Sequence, residues 1–167
     1  LAMQTVSFQA TPEDLLGAYR LNFRVTLKSK RVIRAYVSGG AALAVMAMAA
    51  AWEWDIAPVP IAAAIGLGYW ITLLSLIFFS AYLRLPRQVR RIFDQQKSLH
   101  DNTTVKWSET GISFISSRGH SQFSWSDFVK IVKGQDAIIL RQSDALMNFI
   151  PSRALSQEQL ASFPVTV

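Results

Sequence analysis

Cysteine is absent from the 167 residues, which excludes disulfides, thiolate nucleophiles and thiolate metal ligands. Histidine is scarce: the chain has 2. His100 sits in a linker and His120 beside a predicted turn, and without cysteine they make no zinc-binding set. Charge is missing from two long stretches, residues 35–52 and 61–83, which contain no Asp, Glu, Lys, Arg or His. An ion path or proton relay through a membrane needs such groups or a polar lining. Two helices also enclose no pore without oligomerising, so transport is not the expected activity. Catalytic sets are missing as well. Gly39-Gly40 falls inside an apolar run and cannot be a phosphate loop. His120, Asp127 and the many serines lack the strand-turn-helix elbow of a nucleophilic serine. No carboxylates pair at a convincing helical spacing. The chain reads as a non-enzyme, with no cofactor and no metal expected.

What is present is apolar length. The uncharged runs are 18 and 23 residues long, and a bilayer core of about 30 Å takes a helix of roughly 17–25 apolar residues. A soluble core helix of that length would show a polar stripe; neither run does. The net charge of +6 is placed unevenly around them. Arg20, Arg24, Lys28, Lys30, Arg31 and Arg34 precede the first run, and Arg84, Arg87, Arg90 and Arg91 follow the second. The connector carries Glu53 and Asp55 and no base. This is the positive-inside pattern, and it predicts a multi-pass membrane protein with both termini cytoplasmic. The ten basic residues are the candidate contacts to anionic lipid headgroups. Nucleic acid is not an expected partner.

Taken in order, the chain first offers a short strand around Val6 and Phe8. Thr11, Pro12, Glu13 and Asp14 then make a helix start, with Thr11 as cap and the acids at the positive end. The helix that follows gathers Leu15, Leu16, Tyr19 and Phe23 on one face among basic residues. It suits either the headgroup plane or packing on a soluble domain. The first apolar run is rich in Gly and Ala, and Gly40, Ala44, Ala62 and Gly66 give small-xxx-small spacings that favour close helix packing. Trp52 and Trp54 mark one interface and Tyr82 the other. Pro58 and Pro60 predict a tight non-helical connector, and Pro86 predicts an interruption before a basic helix bearing Val89, Ile92 and Phe93. Thr72, Ser75 and Ser80 are expected to bond to their own backbone.

Beyond Asp101 the pattern changes to short strands. They are expected over 103–107, 112–116, 122–125, 128–133, 137–142 and 146–150, with turns at 108–111, 117–120, 134–136 and 142–144. Pro151 ends the series. Ser156 and Gln159 have capping-box spacing at the start of a short helix. Trp125 and Phe128 are expected as buried sheet anchors, Asp127 as a cap on backbone amides, and Arg153 either as a brace holding the last helix to the sheet or as a contact to lipid phosphate. The expected blocks are a strand and basic helix (1–34), a first transmembrane helix with its turn (35–57) and a second (58–85). A basic juxtamembrane helix (86–100) and a sheet domain (101–167) complete the chain.

Residues 110–132, especially Trp125, Ser126, Asp127 and Phe128, and residues 149–155 with Pro151 and Arg153, resemble the YcxB-like family of small bacterial membrane proteins. The resemblance implies a two-span helical hairpin and a small cytoplasmic α+β domain. That domain is an antiparallel sheet like the pleckstrin-homology fold, with a C-terminal helix. Members often carry a basic residue where this chain has Ser152, so anion binding is not expected there. The family's biochemical role is undefined, so the resemblance supplies a fold. The expectation for function is a membrane-anchored interaction or regulatory protein that binds a protein partner. The alternatives are an anionic-lipid-sensing module and a self-associating component, such as a toxin-neutralising or regulatory subunit acting as a homo-oligomer.

Overall fold

Strand pairing joins the segments that precede and follow the apolar helices. In the computed structural model, which describes residues 3–55, 57–143 and 145–164, strand β1 (Gln4–Gln9) runs antiparallel to β2 (Asn102–Trp107), with Val6 opposite Val105. Ile56 of the expected connector and Asp144 of the expected 142–144 turn lie outside the described residues. The chain divides into two units: residues up to Phe23 together with those from Leu85 onward, and Arg24–Arg84.

The first unit holds two antiparallel sheets. One has the order β1-β2-β3-β4, with β3 at Gly111–Ser116 and β4 at Gly119–Ser124. The other has the order β5-β6-β7, formed by Lys130–Lys133, Ala137–Arg141 and Met147–Pro151. Val105, Ile112, Ile131, Ile138, Leu140 and Ile150 form its buried centre. Four consecutive residues of β6, Ala137 to Leu140, are fully buried, because both faces of that strand are covered. Ile138 and Leu140 face the main core, while Ala137 and Ile139 pack with Ala18 of helix α1 (Pro12–Leu27). The amphipathic helix therefore spends its buried face, Leu15 and Ala18 included, on the sheet unit. Gly17 makes the approach close: a β-carbon there would stand 2.7 Å from that of Asp136 in the β5–β6 turn.

Local chemistry sets several ends. Thr11 Oγ1 accepts from the Asp14 amide at 3.2 Å while Asp14 Oδ2 accepts from the Thr11 amide at 2.9 Å, a reciprocal cap. The same device opens α4 (Gln157–Ser162), where Ser156 and Gln159 exchange bonds of 3.0 and 3.1 Å. Lys133 Nζ donates to the Ala161 carbonyl at 3.2 Å, near the end of α4, where a cation is favoured. Burial lowers the pKa of this lysine.

The second unit is a helical hairpin built from α2 (Lys30–Trp54) and α3, which spans Val59–Gln95 and continues into the first unit. Small residues face each other across it. Gly66 approaches Ala47 and the Leu43 carbonyl, and Gly39 lies against the Trp70 ring. Trp70 Nε1 donates to the Tyr36 carbonyl at 2.9 Å. The hydroxyls of Thr72, Ser75 and Ser80 bond to backbone carbonyls three or four residues earlier in α3, as expected of isolated hydroxyls in an apolar helix. The outward side chains are large and apolar: Val45, Met46, Ile65, Tyr69, Leu76 and Phe79 are all exposed. Both helices are long and apolar enough to cross a membrane.

Three expectations change. Pro86 does not interrupt the helix, because α3 passes through it to Gln95. Pro60 is not confined to a non-helical connector and lies in the first turn of α3, where its missing amide is not needed. The strand expected over 122–125 instead runs from Gly119 to Ser124, taking in Gly119 and His120 of the expected 117–120 turn, and the one expected from Phe128 starts only at Lys130. Between them Trp125–Asp127 make a single tight helical turn.

Candidate functional site

In the first unit, among the described residues, β4 and β7 each pair on one side only. A groove of about 550 Å³ opens between them, lined by Ser121 and Phe123 of β4, Asn148 and Phe149 of β7, and Phe114 and Tyr19 from neighbouring elements. Phe114 and Phe123 meet edge to face with centroids 6.2 Å apart, an arrangement their ring quadrupoles favour. The apolar floor sits beside polar strand edges, so an incoming chain would find both burial and backbone partners.

The hairpin that presents β4 is held at its tip. Arg118 Nε donates to Asp101 Oδ2 at 2.6 Å and Ser117 Oγ donates to the same oxygen at 2.7 Å. These two hydrogen bonds hold the Asp101 carboxyl below its ordinary pKa. At the base of β4, Asp127 Oδ2 accepts from the Ser124 amide at 2.8 Å, completing a capping box; this is the role its sequence position implies. Trp125 differs from expectation. It is half-buried in the tight turn rather than deep in a strand, and its Nε1 donates to the Ser108 carbonyl at 2.9 Å. Phe128 is buried as expected, with its ring 6.3 Å from Trp125 and 5.7 Å from Phe123. Phe163, after α4, packs at a tilt on Trp107 with centroids 5.0 Å apart and meets Trp125 edge-on at 5.7 Å.

The partner of Arg153 also differs from expectation. Its guanidinium clasps Asp14 in two bonds, Nε to Oδ1 at 2.8 Å and Nη2 to Oδ2 at 2.6 Å, and Nη2 also donates to the Gln9 carbonyl at 3.0 Å. Arg153, two residues after buried Pro151, thus ties the end of β7 to the β1–α1 corner, not to the last helix. Burial raises the Asp14 pKa, but the bonds from Arg153 and Thr11 outweigh it, and the carboxyl lies below its ordinary range. The clasp raises the Arg153 pKa in turn.

The basic residues sort by unit. Arg24, Lys28, Lys30, Arg31, Arg34 and Arg84 belong to the hairpin unit and are exposed. The cross-hairpin bond from Trp70 to Tyr36 puts residues 24–34 and residue 84 at the same end of that hairpin, away from Glu53 and Asp55. Arg20 is half-buried on α1, whereas Arg87, Arg90 and Arg91 are exposed on the last turns of α3. The distant partners of Asp14, Trp107 and Phe163 are what sequence reading passed over. Asp14 carried a signal, its capping-box spacing from Thr11.

The fold is a two-sheet α+β unit with a pair of apolar helices inserted into it. Residues 107–163 match the family model described as YcxB-like protein, and the match begins and ends on the contacting pair Trp107 and Phe163. No curated protein and no solved structure matches the chain.

Proposed function

We propose that this protein is a non-enzymatic, membrane-anchored interaction module whose sheet unit receives an extended segment of a partner protein along β4. The carrying observation is the edge of β4 itself. Its sequence, Gly119 to Ser124, contains no Asp, Glu, Lys, Arg or Pro, the residues that usually block pairing at a free edge. Nearly every residue of it is exposed, and the aromatic groove runs beside it. A strand added there would gain backbone hydrogen bonds from the edge and side-chain pockets from Phe114, Phe123 and Phe149.

The two-span hairpin serves as the anchor in a bacterial inner membrane. Pairing of β1 with β2 supports an even number of crossings, since both flanks of the hairpin contribute to one sheet. The positive-inside charge distribution assigns that shared side to the cytoplasm. Two sheets of four and three strands followed by a helix support the likeness to pleckstrin-homology domains.

Site-specific photocrosslinking in native membranes tests the docking edge. A photoreactive residue at Ser121 or Asn148 should give a discrete adduct that one at Glu158, on α4, does not. Replacing Ser121 with proline should abolish the Asn148 adduct while tryptophan emission stays native. Equal adducts from all three positions, or adducts indifferent to the proline, would reject β4 as the site.

A further inference from the structure

Arginines on the last turns of α3 have an orientation that the fold fixes. Leu85, Val89 and Phe93 recur at every fourth position and are buried in the core of the sheet unit. At about 100° per residue, Arg87 and Arg91 fall on the opposite side of the helix, with Arg90 on the flank. All three are exposed, and among the described residues the structure gives them no ion pair. They are therefore unpaired cations held in a fixed row.

Their position along the helix suits one kind of partner. The apolar run ends at Leu83, and a rise of about 1.5 Å per residue sets Arg87 and Arg91 roughly 6 and 12 Å beyond it. The polar layer on each side of a bilayer core is about 5–8 Å deep, within reach of long arginine side chains from those positions. The chemistry is selective as well. Every cation between residues 84 and 91 is arginine, while residues 24–34 mix arginine with lysine. A guanidinium fork matches two phosphate oxygens at once, which an ammonium cannot do.

We propose that Arg87, Arg90 and Arg91 form a binding row for the phosphodiester groups of anionic phospholipids; this rests on the membrane-anchored reading above. None of the three arginines lines the groove beside β4, so the row is a site separate from it.

The test uses the full chain reconstituted with phosphatidylcholine and phosphatidylglycerol, followed by native mass spectrometry of the lipids it retains. Wild type should retain phosphatidylglycerol in excess of its share in the bilayer. The R87Q/R90Q/R91Q triple variant should lose that excess, by up to about fivefold per arginine removed. The matching triple lysine variant should keep only part of it. Retention unchanged in the glutamine variant overturns the proposal. So does an equal loss from R24Q/K28Q/R34Q, which would make the effect one of bulk charge. Displacement of the lipid by millimolar inorganic phosphate would reassign the row to a soluble anion and overturn it too. Vesicle flotation separates the two readings. A chain that floats with every vesicle composition and shows no phosphatidylglycerol excess overturns the lipid row alone. One that floats with none overturns the anchor and the row together.

Discussion

Asp14 and Arg153, 139 positions apart in the chain, share two hydrogen bonds of 2.8 and 2.6 Å. Asp14 is nearly buried, with 8% of its side chain exposed, while Arg153 keeps 54%. The pair is thus asymmetric: the acid depends on the clasp and the base can turn to water.

Removing the arginine should therefore cost more than a surface ion pair. Arg153→Ala strands a nearly buried carboxylate that keeps its bonds to Thr11 alone among the partners that lower its pKa, and the loss should be about 1–2 kcal/mol. Arg153→Lys should recover only part of it, because an ammonium cannot make the two-point contact. Thermal melts of the full chain in mild detergent, followed by tryptophan emission, measure both. A melting point for Arg153→Ala equal to wild type would show that the clasp contributes nothing.

The same pair gives stability a pH dependence. The folded Asp14 pKa is depressed, so its contribution is complete above the unfolded value of about 3.9. That contribution disappears as pH falls through the folded value. Asp14→Asn should lower stability at pH 7 and flatten the acid limb of the profile below about pH 4. Identical slopes in the two proteins would remove Asp14 as the cause.

Two glycines should respond in opposite ways. Gly39 lies on the Trp70 ring, where an added β-carbon would fall 2.2 Å from the nearest ring atom, whereas Gly68 has nothing within 4 Å. Gly39→Ala should separate the hairpin helices and cost roughly 1–3 kcal/mol. Gly68→Ala should be neutral or slightly favourable. Limited proteolysis of the detergent-solubilised protein ranks them; equal protection would show that the hairpin does not depend on close packing.

Phe163 is only 2% exposed between Trp107 and Trp125. Phe163→Ala should destabilise the sheet unit by about 3–5 kcal/mol and shift tryptophan emission to the red. Urea titration gives the first number and the emission maximum the second. Unchanged emission would place the aromatic stack elsewhere.

Much of this architecture was legible because its signals are local. Ser156 and Gln159 announce a helix start, Gly134 to Asp136 announce a turn, and the Gly40 and Gly66 faces announce close packing; each acts within a few residues. Pro86 misled because its helix cost, about 3 kcal/mol, is offset by contacts that sequence does not reveal. Leu85 and Val89 bury themselves on either side of it, each worth about 1.5–3 kcal/mol. Trp125 looked like the next inward step of an alternating strand, yet the Ser124–Asp127 cap bends the chain first. The Asp14–Arg153 clasp could not be read at all. Thr11 explained Asp14 locally, and nothing in the neighbourhood of either residue points across the intervening chain.

The pairing of β1 with β2 also orders events during synthesis. Gln9 leaves the ribosome 93 residues before Asn102, its partner, an interval of about 5–20 s at ordinary elongation rates. Through that interval the first strand waits unpaired while both apolar helices are made. If they enter a membrane as proposed, a chain with one crossing instead of two leaves β1 and β2 on opposite faces, and the sheet cannot close. Folding of the sheet then acts as a proofreading step on insertion, and mis-inserted chains are marked by an open edge.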